Sequence, residues 1–392
     1  MFKIAPIYPE KDLRDVAQMV SDTYANGEYV KEIEDEYLSH CHYDYAACQL
    51  VWDGDKLIHH WGVWGYQMRV DGVLLKVGGI GAVITQEDYR KQGIMAQAAK
   101  SSFVAMKELG YDLSVLRGKH YVKFGYGRAW NYVTYLLKPD GFPDYGTPPE
   151  YQLLEQKNLE ESSELYNRDY SSFSGTAVRP TYEFIDSEIG LYGWFDADGK
   201  LAGYVRARFD EERKALVCHE GTGDPKIGIS IMMDLFHKGE YKTLAFFTLP
   251  EAHPILGLLR LEVVVVEDRY FSNSGWRVKI ISLESALRKL LPVLEKRIRK
   301  SYLKDWHGSL SLDIGAEQVT IEILQSKINL LLESSGDYQV QGDALIARFL
   351  IGADTPREII QQAEYDCPDE ILEILTVLFP YTNPVLSHRD EY

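Results

Sequence analysis

Apolar and polar positions alternate along the chain in two periods, and the switches between them outline its elements. In "DLRDVAQMVSDTYA" (12–25) apolar residues recur at helical spacing, and "YVKEIEDEYLSH" (29–40) reads as a second, acidic helix. Two turn signals, Asp53-Gly54-Asp55 and Asp71-Gly72, separate "CQLVW", "LIHHWGVWGYQMRV" and "VLLKVGGIGAVIT", which predict an antiparallel meander. The third strand runs into "EDYRKQGIM". After it Met95, Ala99, Phe103, Met106 and Leu109 share one helix face, and Gly110 supplies a left-handed cap. "YDLSVL" predicts a short strand and "HYVKFGYG" a helical turn closing on glycines.

The proline- and glycine-rich "KPDGFPDYGTPPEY" (138–151) reads as a linker. Beyond it the order partly repeats: a hairpin around Asp198-Gly199, a helix "IGISIMMDLFHKG" and a strand "YKTLAFFTLP". The last third carries strands "SLSLDI", "QVTIEIL" and "KINLLLES", then "DALIARFLIG" and an apolar helix "PDEILEILTVLFP". The pattern predicts a mixed α/β chain whose closing part is α+β.

Composition narrows the function classes. A chain of 392 residues with 45% hydrophobic and 26% charged residues has the make-up of an ordinary globular protein of two or three domains. The longest apolar candidate, Ile255 to Val266, is broken by Arg260 and Glu262, so no membrane span is expected. The N-terminus lacks the apolar core of a secretory signal, which predicts a cytoplasmic protein. Four scattered cysteines without a CxxC pair suggest neither a disulfide framework nor a zinc site, and "HCH" (40–42) without a second cluster reads as structural; no metal is expected. A net charge of −17 argues against nucleic acid and suits a cationic partner.

Against that acidity, Arg90, Lys91 and Gly93 stand at the junction of a strand and a helix. A helix N-terminus presents unpaired N–H groups and partial positive charge, so the junction predicts an anion site fit for a pyrophosphate. It is neither a Walker loop nor GxGxxG. The upstream "GGIG" lies inside the strand and predicts a close approach of another chain or a bulge. The corresponding place in the second repeat reads "GTGDPKIGI", with no arginine and with a proline, so no comparable cradle is expected there.

Arg90-Lys91-Gln92-Gly93-Ile94-Met95, preceded by Val83-Ile84-Thr85, resembles the R/Q-x-x-G-x-A/G loop of the GNAT acetyltransferase superfamily, with Met95 at the position where that pattern has a small residue. More narrowly, "AVITQEDYRKQGIM" with "YVKFGYG" looks like the Eis (enhanced intracellular survival) family. That resemblance implies tandem GNAT-like domains, catalytic at 1–148 and degenerate at 149–283, followed by a sterol-carrier-like α+β domain at 284–392. It implies acetyl-CoA as co-substrate, a cationic amine as acceptor (aminoglycoside, polyamine or lysine side chain), and a tendency to form oligomers.

The resemblance also assigns roles. Backbone groups of Val83, Ile84 and Thr85 would hold the pantetheine arm, and the N–H groups of Arg90 to Met95 the pyrophosphate. Tyr121 would be the acid for the departing thiolate, a role for which Tyr126 competes, and a partly desolvated cleft would help a phenol to give up its proton. The C-terminal carboxylate of Tyr392 would be the base. Glu391 would anchor the cationic acceptor; Glu28 and Trp61 are further substrate-facing candidates, beside Asp22, Glu32 and Trp64, because carboxylates and aromatic faces suit a cation. Two readings compete with an enzyme: a lipid carrier working through the third domain, and a CoA-binding protein without catalysis.

Overall fold

The computed structural model describes residues 2–39, 42–138, 141–181, 189–262, 264–269, 275–333 and 336–391. The chain opens with β1 (Lys3–Ala5) and α1 (Pro9–Tyr24), where Pro9 starts the helix, Glu10 and Asp12 complement its dipole, and Val16, Ala17 and Val20 form the buried face. The second expected helix is irregular: α2 (Val30–Glu32) is a single turn that widens into a π-helical stretch, Ile33–Leu38. Of that segment only Leu38 is buried, so little tertiary packing enforces regular pitch. The meander follows as expected, with β2 (Gln49–Asp53), β3 (Lys56–Val70) and β4 (Val73–Thr85) antiparallel in sequence order.

A 3-10 turn (Glu87–Tyr89) leads through the basic loop to α3 (Ile94–Glu108), closed by Gly110 in the left-handed region (φ +76°). α3 crosses back so that β5 (Leu113–Arg117) lies parallel to β4. Gly78 makes that packing feasible: a Cβ there would collide with the Met106 side chain of α3, so the close neighbour at this glycine of "GGIG" is a side chain of α3. A second 3-10 turn (Lys119–Phe124) precedes β6 (Gly127–Arg128).

The second sheet takes β7 (Tyr132–Leu137) and β8 (Tyr151–Leu153), then, after α4 (Leu159–Asp169), β9 (Gly190–Phe195), β10 (Leu201–Asp210) and β11 (Ala215–Gly221). α5 (Pro225–Lys238) connects β11 to the parallel β12 (Thr243–Phe247), and α6 (Pro254–Leu259) leads to β13 (Val265–Arg269). This is the order of the first sheet again, but the start of α5 is not an open anion site. Asp224 accepts from the Lys226 N–H at 2.8 Å, and Asp169 accepts from the Gly223 N–H at 2.7 Å, so carboxylates already occupy the place of an anion.

The last part begins with β14 (Trp276–Ile280) and α7 (Leu283–Lys300). β15 (Gly308–Asp313), β16 (Gln318–Leu324), β17 (Lys327–Leu331) and β18 (Tyr338–Gln341) form a sheet ordered β17-β16-β15-β18, followed by α8 (Asp343–Ile351), α9 (Pro356–Gln362) and α10 (Asp369–Leu378). Strand pairing crosses the boundary expected at 148/149 in both directions. β7 lies in the second sheet, between β13 and β12, while β14 lies in the first, between β5 and β6. One core continues from Met68, Val77 and Val115 of the first sheet through Leu287 and Leu294 of α7 to Phe349 and Leu375. Among the described residues no helix is long and apolar enough to cross a membrane.

Candidate active site

The site begins where two strands part. β4 and β5 pair only from Val77↔Leu113 to Gly79↔Val115, so the rest of β4, from Ile80 to Thr85, borders a cleft. On its other side β4 carries a bulge. Register runs from His60↔Ile84 to Gly62↔Gly81, which sets Ala82 and Val83 opposite Trp61 alone, and Ala82 takes a left-handed φ of +44°. His60 holds that conformation: its Nδ1–H donates to the Ala82 carbonyl at 2.7 Å, while the Tyr43 hydroxyl bonds Nε2. Burial pushes the His60 imidazole down to about 4, keeping it neutral with the proton on Nδ1. Beside it, His59 Nδ1 lies 2.8 Å from the Thr85 hydroxyl. A bulge of this kind leaves a residue unpaired in the ladder, here at the edge of the cleft.

The basic loop closes one end of the cleft. Arg90 Nε donates to the Thr85 carbonyl at 3.3 Å, its Nη1 lies 3.7 Å from Glu87, and its side chain is exposed. Lys91 (φ +63°) and Gly93 (φ +77°) are both left-handed, with Gln92 between them, and Gln92 ties the loop back through Nε2 to the Asp88 carbonyl at 3.1 Å. Alternation of this sort aims successive N–H groups at one point, a nest for an anion, and the first-turn N–H groups of Ile94 and Met95 have no carbonyl four residues back within the helix. A Cβ on Gly93 would meet nothing within 4 Å, so the left-handed backbone, rather than ligand approach, selects glycine there.

A cavity of about 1030 Å³ joins these parts. Val83, Ile84, Thr85, Arg90 and Met95 line it, as does Tyr121 from the turn after β5. Met95 thus faces the cavity instead of crowding the helix packing. The Tyr121 ring packs edge-on against Trp61, with centroids 5.9 Å apart. Burial, with nearby Tyr24 adding to it, pushes the Tyr121 phenol up to about 12, so the environment favours keeping the proton rather than releasing it. Tyr126, the competing tyrosine, is buried with its hydroxyl 2.6 Å from Ser114 Oγ and does not line the cavity.

Three expected acceptor contacts are not gathered here. Trp61 is wholly buried and serves as packing beneath Tyr121 and Phe103. Glu28 is exposed outside the cavity lining, where its carbonyl accepts from Ser21. Glu391 is held by Arg117 Nη1 at 3.1 Å, at the end of β5. Burial pushes its carboxyl up to about 7 despite Arg117 and Tyr132. Tyr392 lies outside the described residues, as do His40 and Cys41 of "HCH". The cavity instead recruits Asp15, Gln18, Met19 and Asp22 from α1 and Asp55 from the β2–β3 turn. Of these only Asp22 was singled out from the sequence, although the spacing 15, 18, 19, 22 is one helix face and carried the signal.

Comparison with known proteins follows the same division. Residues 7–129 match the family model of the acetyltransferase (GNAT) domain, the stretch that contains the divergent strands, the bulge and the basic loop. The whole chain shares the fold of three crystal structures. One is a conserved protein of unknown function from Enterococcus faecalis V583 described as a probable N-acyltransferase (TM-score 0.76, 17% identity, 99% of each chain covered). Another is a GCN5-related N-acetyltransferase from Anabaena variabilis ATCC 29413 (TM-score 0.74, 16% identity, 98% of this chain and 99% of that one). The third is Eis1 from Mycobacterium abscessus (TM-score 0.69, 14% identity, 98% and 99%). No curated protein sequence matches the chain. Residues 7–129 thus resemble the acetyltransferase (GNAT) domain, and the chain as a whole has a mixed α/β fold consistent with tandem GNAT-like units.

Proposed function

We propose that the protein is an N-acetyltransferase of the Eis-like kind, moving an acetyl group from acetyl-CoA directly to an amine of a cationic acceptor. The observation that carries this reading is the convergence, on one cavity, of the bulged end of β4, the basic nest before α3, and Tyr121. In the reading, the pantetheine arm runs along Val83 to Thr85, the pyrophosphate sits on the N–H groups of Arg90 to Met95, and the bulge N–H polarises the acetyl carbonyl. The neutral amine attacks that carbonyl; the tetrahedral intermediate collapses, the C–S bond breaks, and the thiolate leaves. With its phenol near 12, Tyr121 acts as a hydrogen-bond donor to the developing thiolate, since full transfer to a thiol of pKa about 8.5 runs uphill.

Asp15, Asp22 and Asp55 would draw an ammonium acceptor to the cavity, and the Tyr392 carboxylate remains the proposed base. The Arg117–Glu391 pair supports that role, because it ties the residue before Tyr392 to the strand that leads to Tyr121. We divide the chain into a catalytic unit and a degenerate GNAT-like unit, which exchange β7 and β14, followed by a sterol-carrier-like unit. The test is release of free thiol from acetyl-CoA with a panel of aminoglycosides, polyamines and lysine peptides. Thiol release stoichiometric with N-acetylation of at least one amine is expected; no turnover on any member overturns the reading.

A further inference from the structure

The second sheet holds a cavity of about 360 Å³ that acetyl transfer does not use. It lies on the face opposite α5. Leu216, Cys218, Leu244 and Phe246 point toward α5, and the alternate residues Val217, Ala245 and Phe247 form the apolar floor of the cavity with Leu136. Two polar groups lie in this wall without partners. His219 is 1% exposed and the Thr134 hydroxyl belongs to a residue 2% exposed; neither ring nitrogen of His219 nor Thr134 Oγ1 has a hydrogen-bond partner among the described residues. Buried polar groups of a native fold are nearly always hydrogen-bonded, so two orphans on one wall mark a place that a ligand would complete.

His219 continues the alternation of Ala215 and Val217 and so lines this cavity, and pairing between β10 and β11 steps from Arg206↔Glu220 to Ala207↔Cys218, which leaves His219 unpaired in the ladder. At the rim, Arg213 is shared with Asp210 at 4.0 Å and Arg269 with Glu267 at 2.8 Å, whereas exposed Arg208 has no ion pair among the described residues. Burial, then His388 and Arg208, hold the imidazole of His219 well below its ordinary value, so it is neutral, with one N–H to donate and one nitrogen to accept.

We infer that this cavity binds a small organic monocarboxylate, its charge met by Arg208 with His219 and Thr134 as further hydrogen-bond donors, and its aliphatic or aromatic body laid on Val217, Ala245 and Phe247. An apolar floor beside a single unshared guanidinium fits a carboxylic acid better than a phosphate, which asks for several cations and no apolar surface. The experiment is calorimetric titration of the full-length protein with benzoate, hexanoate, benzamide and inorganic phosphate. Saturable binding of benzoate or hexanoate is expected, with benzamide clearly weaker. Arg208→Ala should weaken the carboxylate about tenfold or more, and Thr134→Val several-fold, with the thermal midpoint lowered in neither. The inference fails if neither carboxylate saturates in the millimolar range, if benzamide or phosphate binds as well as benzoate, or if both variants bind like the parent. Because binding alone is read, the result does not depend on whether the protein transfers acetyl groups.

Discussion

At the scale of single residues, Tyr121 carries the sharpest chemical expectation. The sequence supports a phenol helped by its surroundings to surrender a proton, but burial pushes it the other way, up to about 12. Its use is then a hydrogen bond to the thiolate, and that sets the pH behaviour. Below about pH 10 the phenol stays protonated, so kcat/KM should rise with pH as the acceptor amine loses its proton and show no descending limb from this residue. Tyr121→Phe should lower kcat by about 10²-fold or more while acetyl-CoA affinity changes little, since the ring and its edge-on contact with Trp61 survive. A parent-like kcat in the variant would remove Tyr121 from the chemistry. Gly93 makes a different prediction: Gly93→Ala meets no steric obstacle but must hold φ +77°, so it should cost about 1 kcal/mol of stability in a denaturant titration and loosen acetyl-CoA binding with it.

At the scale of elements, the functional question is what keeps β4 bulged. His60→Leu removes the donor to the Ala82 carbonyl and the partner of the Tyr43 hydroxyl. The expected outcome is a fall in kcat of about tenfold or more with acetyl-CoA affinity nearly kept, because the misplaced N–H polarises the acetyl carbonyl while the loop still holds the pyrophosphate. A loss of thermal stability with parent-like kcat would make His60 purely structural. The elements themselves were largely legible: meander, loop, α3 and β5 follow from alternation and turn chemistry, which act over a few residues. The bulge was legible only as an anomaly of glycines in "GGIG", and the placement of Glu28, Trp61 and Glu391 away from the cavity lining was not legible because residue type says nothing about which side of a strand or tail faces a cavity. The exchange of β7 and β14 between sheets was not legible at all, since both read locally as ordinary strands and their partners lie over a hundred residues away.

At the scale of the whole molecule, the C-terminal tail fastens the units through a buried cluster. Arg179 donates to Glu220 at 2.6 and 2.7 Å and to Asp390 at 3.0 Å, Ser387 donates to Glu220 at 2.7 Å, and the Arg179 guanidinium stacks 3.4 Å over the Tyr166 ring. Burial disfavours the charge on Glu220, but the charge and hydrogen bonds of Arg179 outweigh it and hold the carboxyl well below its usual range. That group stabilises above its unfolded value of 4.5 and loses the contribution as pH falls further. Earlier in the descent the buried histidines act. His59 is pushed down to about 3, His60 and His253 to about 4, each first by burial, and His219 goes in the same direction, while unfolded imidazoles titrate at 6.5. Between about pH 6 and 4.5 the unfolded chain therefore binds protons that the native one refuses, and each such group costs about 1.4 kcal/mol per pH unit. Glu391 opposes them: its carboxyl is raised to about 7, so it favours the fold below 4.5 and loses that contribution as pH rises toward 7. Asp343, also raised by burial, acts in the same direction as Glu391, but four imidazoles against two carboxylates fix the sign, and stability measured by denaturant titration should fall from pH 7 to pH 5. In His60→Leu and His253→Leu the slope, whatever the absolute stability, should be shallower by about one proton each, and an unchanged slope in both would show that these imidazoles are charged in the fold.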